Sequence, residues 1–117
     1  MRIALDIDGT LCNNTNGKYE EAKPYKRMIR LVNSLYEQGD YVIIHTARGM
    51  GRYNAVPGKA ATKLYRLTQN QLDAWGVKYH ELHLGKIHAD VYVDDKGFRI
   101  KADGTSVEAL REFLEGK

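Results

Sequence analysis

The chain has 117 residues, 43% of them hydrophobic, with 11 glycines and 2 prolines. That suits one compact domain with a real core, and excludes a disordered linker-type composition or a second domain of ordinary size. The formal charge of +3, from 18 Lys+Arg against 15 Asp+Glu, reads first as a solvated surface and second as a preference for anionic substrates or nucleic acid.

Residues 2–7 form a short apolar run typical of a buried parallel strand. Residues 12–23, with Asn13, Asn14, Asn16 and Gly17, read as a surface loop or flap. A helix is predicted over 24–38: Pro24 suits its first turn, Met28, Leu31, Val32 and Leu35 make its apolar stripe, and Gly39 stops it. Tyr41-Val42-Ile43-Ile44 is the second buried strand, ending at His45-Thr46. Residues 47–61, with Arg48, Gly49, Gly51, Pro57 and Gly58, form a glycine-punctuated loop of the kind that carries function. A helix over 62–75 follows, with Leu64, Leu67, Gln71, Leu72 and Trp75 on or near one face. Strands are predicted at 79–84 and 90–93, and a small hairpin around Phe98-Arg99-Ile100 with a turn at Asp103-Gly104. The last helix carries a capping-box signature, Thr105 to Glu108.

Strands alternating with amphipathic helices predict an α/β fold, a three-layer α/β/α sandwich around a central parallel sheet. Ligand sites in such sheets lie beyond the carboxyl ends of the strands, and the polar residues of interest sit there. Asp6 and Asp8 end the first strand, Thr46 the second and Asp94-Asp95 the strand at 90–93, while Lys86 follows the strand at 79–84. A strand puts residues i and i+2 on one side, so the two carboxylates of Asp6-Ile7-Asp8 point into the same space. Their repulsion calls for a metal cation, a shared proton or a substrate.

The single cysteine, Cys12, cannot form an internal disulfide. With no charged-then-apolar leader at the start, a reducing cytoplasm is the expected location. No stretch approaches the ~18 apolar residues of a membrane span. His45, His80, His83 and His88 lack metal-ligand spacing and read as non-catalytic. The 8 tyrosines read as packing and surface rather than base stacking.

Asp6-Ile7-Asp8-Gly9-Thr10 matches in full the DxDGT motif of haloacid-dehalogenase-type (HAD) phosphohydrolases, which this chain resembles. Thr46 matches the family's second motif, Lys86 its third and Asp94-Asp95 its fourth, in order and over nearly the whole chain. The resemblance implies a Rossmannoid fold and Mg²⁺-dependent hydrolysis of a phosphate monoester. Asp6 would be the nucleophile and Asp8 the general acid and base. Thr46 and Lys86 would hold the phosphoryl group. Mg²⁺ would take the Asp6 carboxylate, the Asp8 carbonyl and Asp94, with Asp95 a ligand or its support. Arg48, the Gly9 N–H and Lys59 would serve the substrate; Lys59 and Lys96 rival Lys86 for the phosphate.

The gap between Thr10 and the first helix leaves no room for an inserted cap, so residues 1–117 are expected to form one capless domain. The flap at 12–23 and the loop at 47–61, or a second copy of the chain, would then cover the site. Within the family, the stretch from Asp40 to Arg99 looks most like small phosphatases of capsular or surface polysaccharide biosynthesis. That implies a small phosphorylated sugar or polyol-type metabolite. The alternative is a nucleic-acid end-processing phosphatase, favoured by Arg48, Arg52, Lys59, Lys63 and Arg66 around one loop and helix. From other classes, a phosphoacceptor signalling domain is disfavoured by motif order and a non-catalytic binding module by the intact acidic set.

Overall fold

Three parallel strands carry the architecture: β1 (Arg2–Leu5), β2 (Tyr41–Thr46) and β5 (Glu81–Leu84). They are seen in a computed structural model that describes residues 1–51, 54–55 and 58–117. Arg52 and Pro57, both part of the sequence reading, lie outside the described residues. The sheet order is β1-β2-β5. Leu5 lies opposite Ile44, and Thr46 opposite Leu84. That register lines the carboxyl ends of all three strands along one rim.

Between the strands run α1 (Lys26–Glu37) and α2 (Gly58–Ala74), and α3 (Val107–Glu115) closes the chain. A short antiparallel pair, β3 (Met50–Gly51) with β4 (Asn54–Ala55), fills part of the expected 47–61 loop. The helix predicted from 62 therefore begins at Gly58. No segment of the described residues forms a cap domain, and the fold is α/β around a central parallel sheet.

The core explains why these elements form. Along β2 the buried Val42, Ile44 and Thr46 alternate with half-buried Tyr41, Ile43 and His45, the pleat period of a strand. Met28, Leu31, Val32 and Leu35 of α1 close over the same core. Gly39 then ends α1 with φ +99°, a conformation that costs a residue with a Cβ far more than glycine. Tyr36 and Tyr41 stack on either side of His80, whose Nδ1 accepts the Val42 N–H at 3.0 Å. This histidine is a packing element.

The expectations fail between β5 and α3. No strand forms at 90–93, and no hairpin at Phe98–Ile100. Val91 and Val93 are 72% and 93% exposed, so the alternating apolar pattern finds no partner edge to pack against. Asp94 Oδ1 instead accepts the N–H groups of Lys96 and Gly97 at 2.8 and 2.6 Å, a local turn that competes with extended pairing. The capping box does not form either. Thr105 donates to Asp103 through both its N–H and its hydroxyl, and Ser106 takes the N-cap place. What anchors the segment is Tyr25, whose hydroxyl donates to the Ala102 carbonyl at 2.8 Å. Gly104 lies directly against the Tyr25 ring.

Candidate active site

The site grows from the turn after β1. The strand stops at Leu5, two residues earlier than its apolar run suggests, because the Ile7 carbonyl is taken by the chain folding back. It accepts the N–H groups of Thr10, Leu11 and Cys12 at 3.0, 2.8 and 3.3 Å. Gly9, at φ +84°, makes that reversal possible; a Cβ there would meet the Asn14 side chain at 3.2 Å. Leu5, Ile7 and Gly9 are buried, while Asp6 and Asp8 alternate with them on the more open side.

Two carboxylates on one side of a turn would repel. Here each has a cation of its own. Lys86 Nζ stands 3.4 Å from Asp6 Oδ2, and Asp6 Oδ1 accepts the Ile7 N–H at 2.7 Å. Arg48 grips Asp8 with two parallel bonds, Nε to Oδ2 and Nη2 to Oδ1, both 2.9 Å. The Asp6 side chain is 32% exposed and the Asp8 side chain 19%.

Lys86 owes its place to the sheet. The Gly85 and Lys86 N–H groups both donate to the Thr46 carbonyl at 3.1 Å, which folds the end of β5 over the end of β2. The Tyr92 ring lies 4.4 Å from Lys86 Nζ. Thr46 itself is buried; its Oγ1 accepts the Arg48 N–H at 3.1 Å and keeps its own proton to donate. Lys59 is an exposed residue in the first turn of α2, and Lys96 is exposed as well. Among the described lysines, the ion pair with Asp6 belongs to Lys86.

Arg48 departs from the sequence reading. Expected to reach the distal part of a substrate, it has a side chain with no exposed surface. Its Nη1 donates to Gln71 Oε1 at 2.7 Å and to Thr68 Oγ1 at 3.2 Å, and the Tyr19 ring lies 4.7 Å from its guanidinium carbon. Thr68, Gln71 and Tyr19 were missed in the sequence. The available signal was two polar residues three apart within the Leu64-Leu67-Leu72 stripe of α2.

Asp94 and Asp95 follow the 90–93 stretch. Both are exposed, and the Lys96 N–H, then the Gly97 N–H, hold the Asp94 carboxyl below its ordinary value. Among the described residues no group of three or more His, Cys, Asp or Glu side chains stands together as a metal site. Two hard oxygens are available in this turn: the Asp6 carboxylate, and the Asp8 carbonyl, which accepts no hydrogen bond from the described residues. That donor set fits Mg²⁺, which binds through one or two carboxylates plus phosphate oxygens and keeps several waters.

Two further groups border the site. Burial, reinforced by the Lys86 charge, pulls the His45 imidazole below its ordinary value. Cys12, fully buried, has its thiol pushed up to about 12 by desolvation and then by the Asp8 charge; a thiol so placed is no nucleophile. Beside the rim, between α2 and β5, a cleft of about 670 Å³ opens, bordered by Met50, Leu64, Tyr65, Gln69, His83 and Leu84. Asp6, Asp8 and Lys86 do not line it.

Similarity to known proteins enters at this point. No protein-family model matches the chain, and no curated protein matches it. Among solved structures, a target protein from Vibrio cholerae superposes with a TM-score of 0.75 at 25% identity, covering 99% of this chain and 98% of that one. The D,D-heptose 1.7-bisphosphate phosphatase of B. bronchiseptica, complexed with magnesium and phosphate, superposes with a TM-score of 0.52 at 15% identity. That match spans 76% of this chain and 51% of the phosphatase. The fold is HAD-like. No helix among the described residues is long and apolar enough to cross a membrane.

Proposed function

We propose that the chain is a magnesium-dependent phosphatase acting on a small phosphorylated sugar or polyol-type metabolite. One observation carries this reading: Asp6 and Asp8 stand two residues apart at the strand ends, each with a different cation, Lys86 on one and Arg48 on the other. Two carboxylates in different surroundings can take different parts in one reaction.

In the first step an Asp6 oxygen attacks phosphorus. The phosphorus–ester oxygen bond breaks, and its electron pair leaves with the ester oxygen. That oxygen takes a proton from Asp8 and departs as an alcohol. Water then attacks the aspartyl-phosphate, giving its proton to Asp8. The phosphorus–Asp6 bond breaks, its pair returns to the carboxylate, and inorganic phosphate leaves. Lys86 offsets charge on the phosphoryl oxygens, and Thr46 offers a hydroxyl donor beside them. The Asp6 carboxylate and the Asp8 carbonyl, with Asp94 or Asp95 as a further proposed ligand, would hold magnesium, which when bound would supply charge neutralisation between nucleophile and phosphate.

The heptose bisphosphate phosphatase of similar fold favours a sugar phosphate over a nucleic-acid end. So does the burial of Arg48, which removes that residue from the basic cluster that suggested an oligonucleotide. Surface polysaccharide biosynthesis in the cytoplasm is the setting we propose.

The test is phosphate release by the purified chain from sugar phosphates, polyol phosphates, an aryl phosphate and a 3′-phosphorylated oligonucleotide. We expect magnesium-dependent turnover of the small esters, and its loss in Asp6→Asn by about four orders of magnitude. Full activity in Asp6→Asn, or in the presence of a chelator, would refute the reading. Turnover confined to the oligonucleotide would select the nucleic-acid alternative.

A further inference from the structure

Arg48 is the most deeply embedded charge at the site, and the mechanism above gives it no part. Burying a guanidinium is costly unless its donors are used and its charge is paired. Every direction around Arg48 is occupied. Asp8 takes Nε and Nη2, and Thr68 and Gln71 take Nη1. The Tyr19 ring stands over the guanidinium. The surrounding groups are tied to one another: Gln71 Nε2 donates to the Tyr19 carbonyl at 2.5 Å, and the Gly49 N–H donates to the Tyr19 hydroxyl at 3.4 Å. The backbone of Arg48 is pinned too, through its N–H on Thr46.

A planar fork held on all sides fixes whatever it grips. Here that is the Asp8 carboxylate, which has two soft torsions and, apart from Arg48, only the Cys12 thiol at 3.5 Å among its side-chain partners within the described residues. We infer that Arg48 is the positioning residue for Asp8, setting the plane of its carboxylate so that one oxygen can exchange a proton with the ester oxygen. Through Gln71 and Tyr19 that setting is coupled to α2 and to the 12–23 loop. This rests on the phosphatase reading and gives Arg48 a role inside the protein instead of on the substrate.

Leaving-group chemistry separates positioning from mere structural support. An alkyl alcohol is a poor leaving group and needs Asp8 to supply its proton; a dinitrophenolate leaves without one. In the step that forms the aspartyl-phosphate, a variant that misplaces Asp8 therefore suffers on the first ester and little on the second, whereas a generally damaged site suffers on both; kcat/KM reports that step apart from the later hydrolysis, which both esters share.

The experiment compares glycerol phosphate with 2,4-dinitrophenyl phosphate for the wild type, Asp8→Asn, Arg48→Lys and Arg48→Met, with folding checked by near-ultraviolet circular dichroism. In Arg48→Met we expect kcat/KM on the alkyl ester to fall about 100-fold and on the aryl ester less than about 3-fold. Arg48→Lys, which restores the charge and one of the two bonds, should fall between wild type and Arg48→Met. Should Arg48→Met not fold, Thr68→Val/Gln71→Leu carries the same test, since it frees the outer side of Arg48 and leaves its pair with Asp8. Equal losses of kcat/KM on the two esters in a folded variant overturn the positioning role while leaving the phosphatase reading standing. A wild type that releases phosphate from neither ester overturns both.

Discussion

The rim of the sheet and the segment between β5 and α3 hold similar residues in opposite states. Ile44 on β2 is fully buried, and Val93 is 93% exposed. At the rim, Asp8 is gripped by a buried arginine; beyond β5, Asp94 is gripped by its own backbone. The same apolar alternation and the same acidic chemistry occur in both. What differs is the scaffold beneath. Parallel neighbours on both edges and a helix over one face convert Tyr41–Thr46 into a strand that aims its end residues. The 90–93 stretch has neither, and its Val91 and Val93 side chains stand in solvent.

That contrast can be broken or sharpened by substitution. The largest effect is expected for Ile44→Ala, about 3 kcal/mol of stability read from the urea midpoint. Next comes Gly104→Ala. At φ +80° with a Cβ 2.8 Å from the Tyr25 ring, it should cost about 2 kcal/mol in the same measurement and loosen the contact between this segment and Tyr25. Tyr25→Phe removes the bond to the Ala102 carbonyl and should cost about 1 kcal/mol. Val93→Ser should change stability by less than about 0.5 kcal/mol. A cost near that of Ile44→Ala would mean that Val93 packs as a core strand residue, and the contrast between the two regions would fall.

The smallest effect is a pH dependence at the rim. The lowered His45 value means that the unfolded chain binds that proton more readily than the folded one. As pH drops below the ordinary imidazole value of 6.5, His45 therefore subtracts stability; above it the contribution is absent. Thermal unfolding between pH 5 and pH 8 should show a slope that His45→Asn flattens. An identical slope in the variant would assign the dependence to another group.

Much of the rim was legible in the chain because its signals are local. The apolar runs before Asp6 and Thr46 mark parallel strands, and parallel strands put their ends together without further information. Lys86 follows from the same logic, as the first cation after β5. Arg48 was not legible in this way. Whether an arginine after a strand faces solvent or a carboxylate depends on α2, whose Thr68 and Gln71 arrive from twenty and twenty-three residues away. The strand expected at 90–93 misled for the converse reason. Val91-Tyr92-Val93 has strand periodicity, but periodicity describes what a partner edge would accept and does not supply the edge.

The buried Cys12 has a practical consequence. Its sulfur sits under the turn that carries Asp8, closed off from solvent and with its proton firmly held. A thiol-reactive dye can modify it only when that turn lifts. As the chain's sole cysteine, it yields a single labelling rate that is a clock for the opening of the turn, and a ligand that clamps the turn shut will slow the clock in proportion.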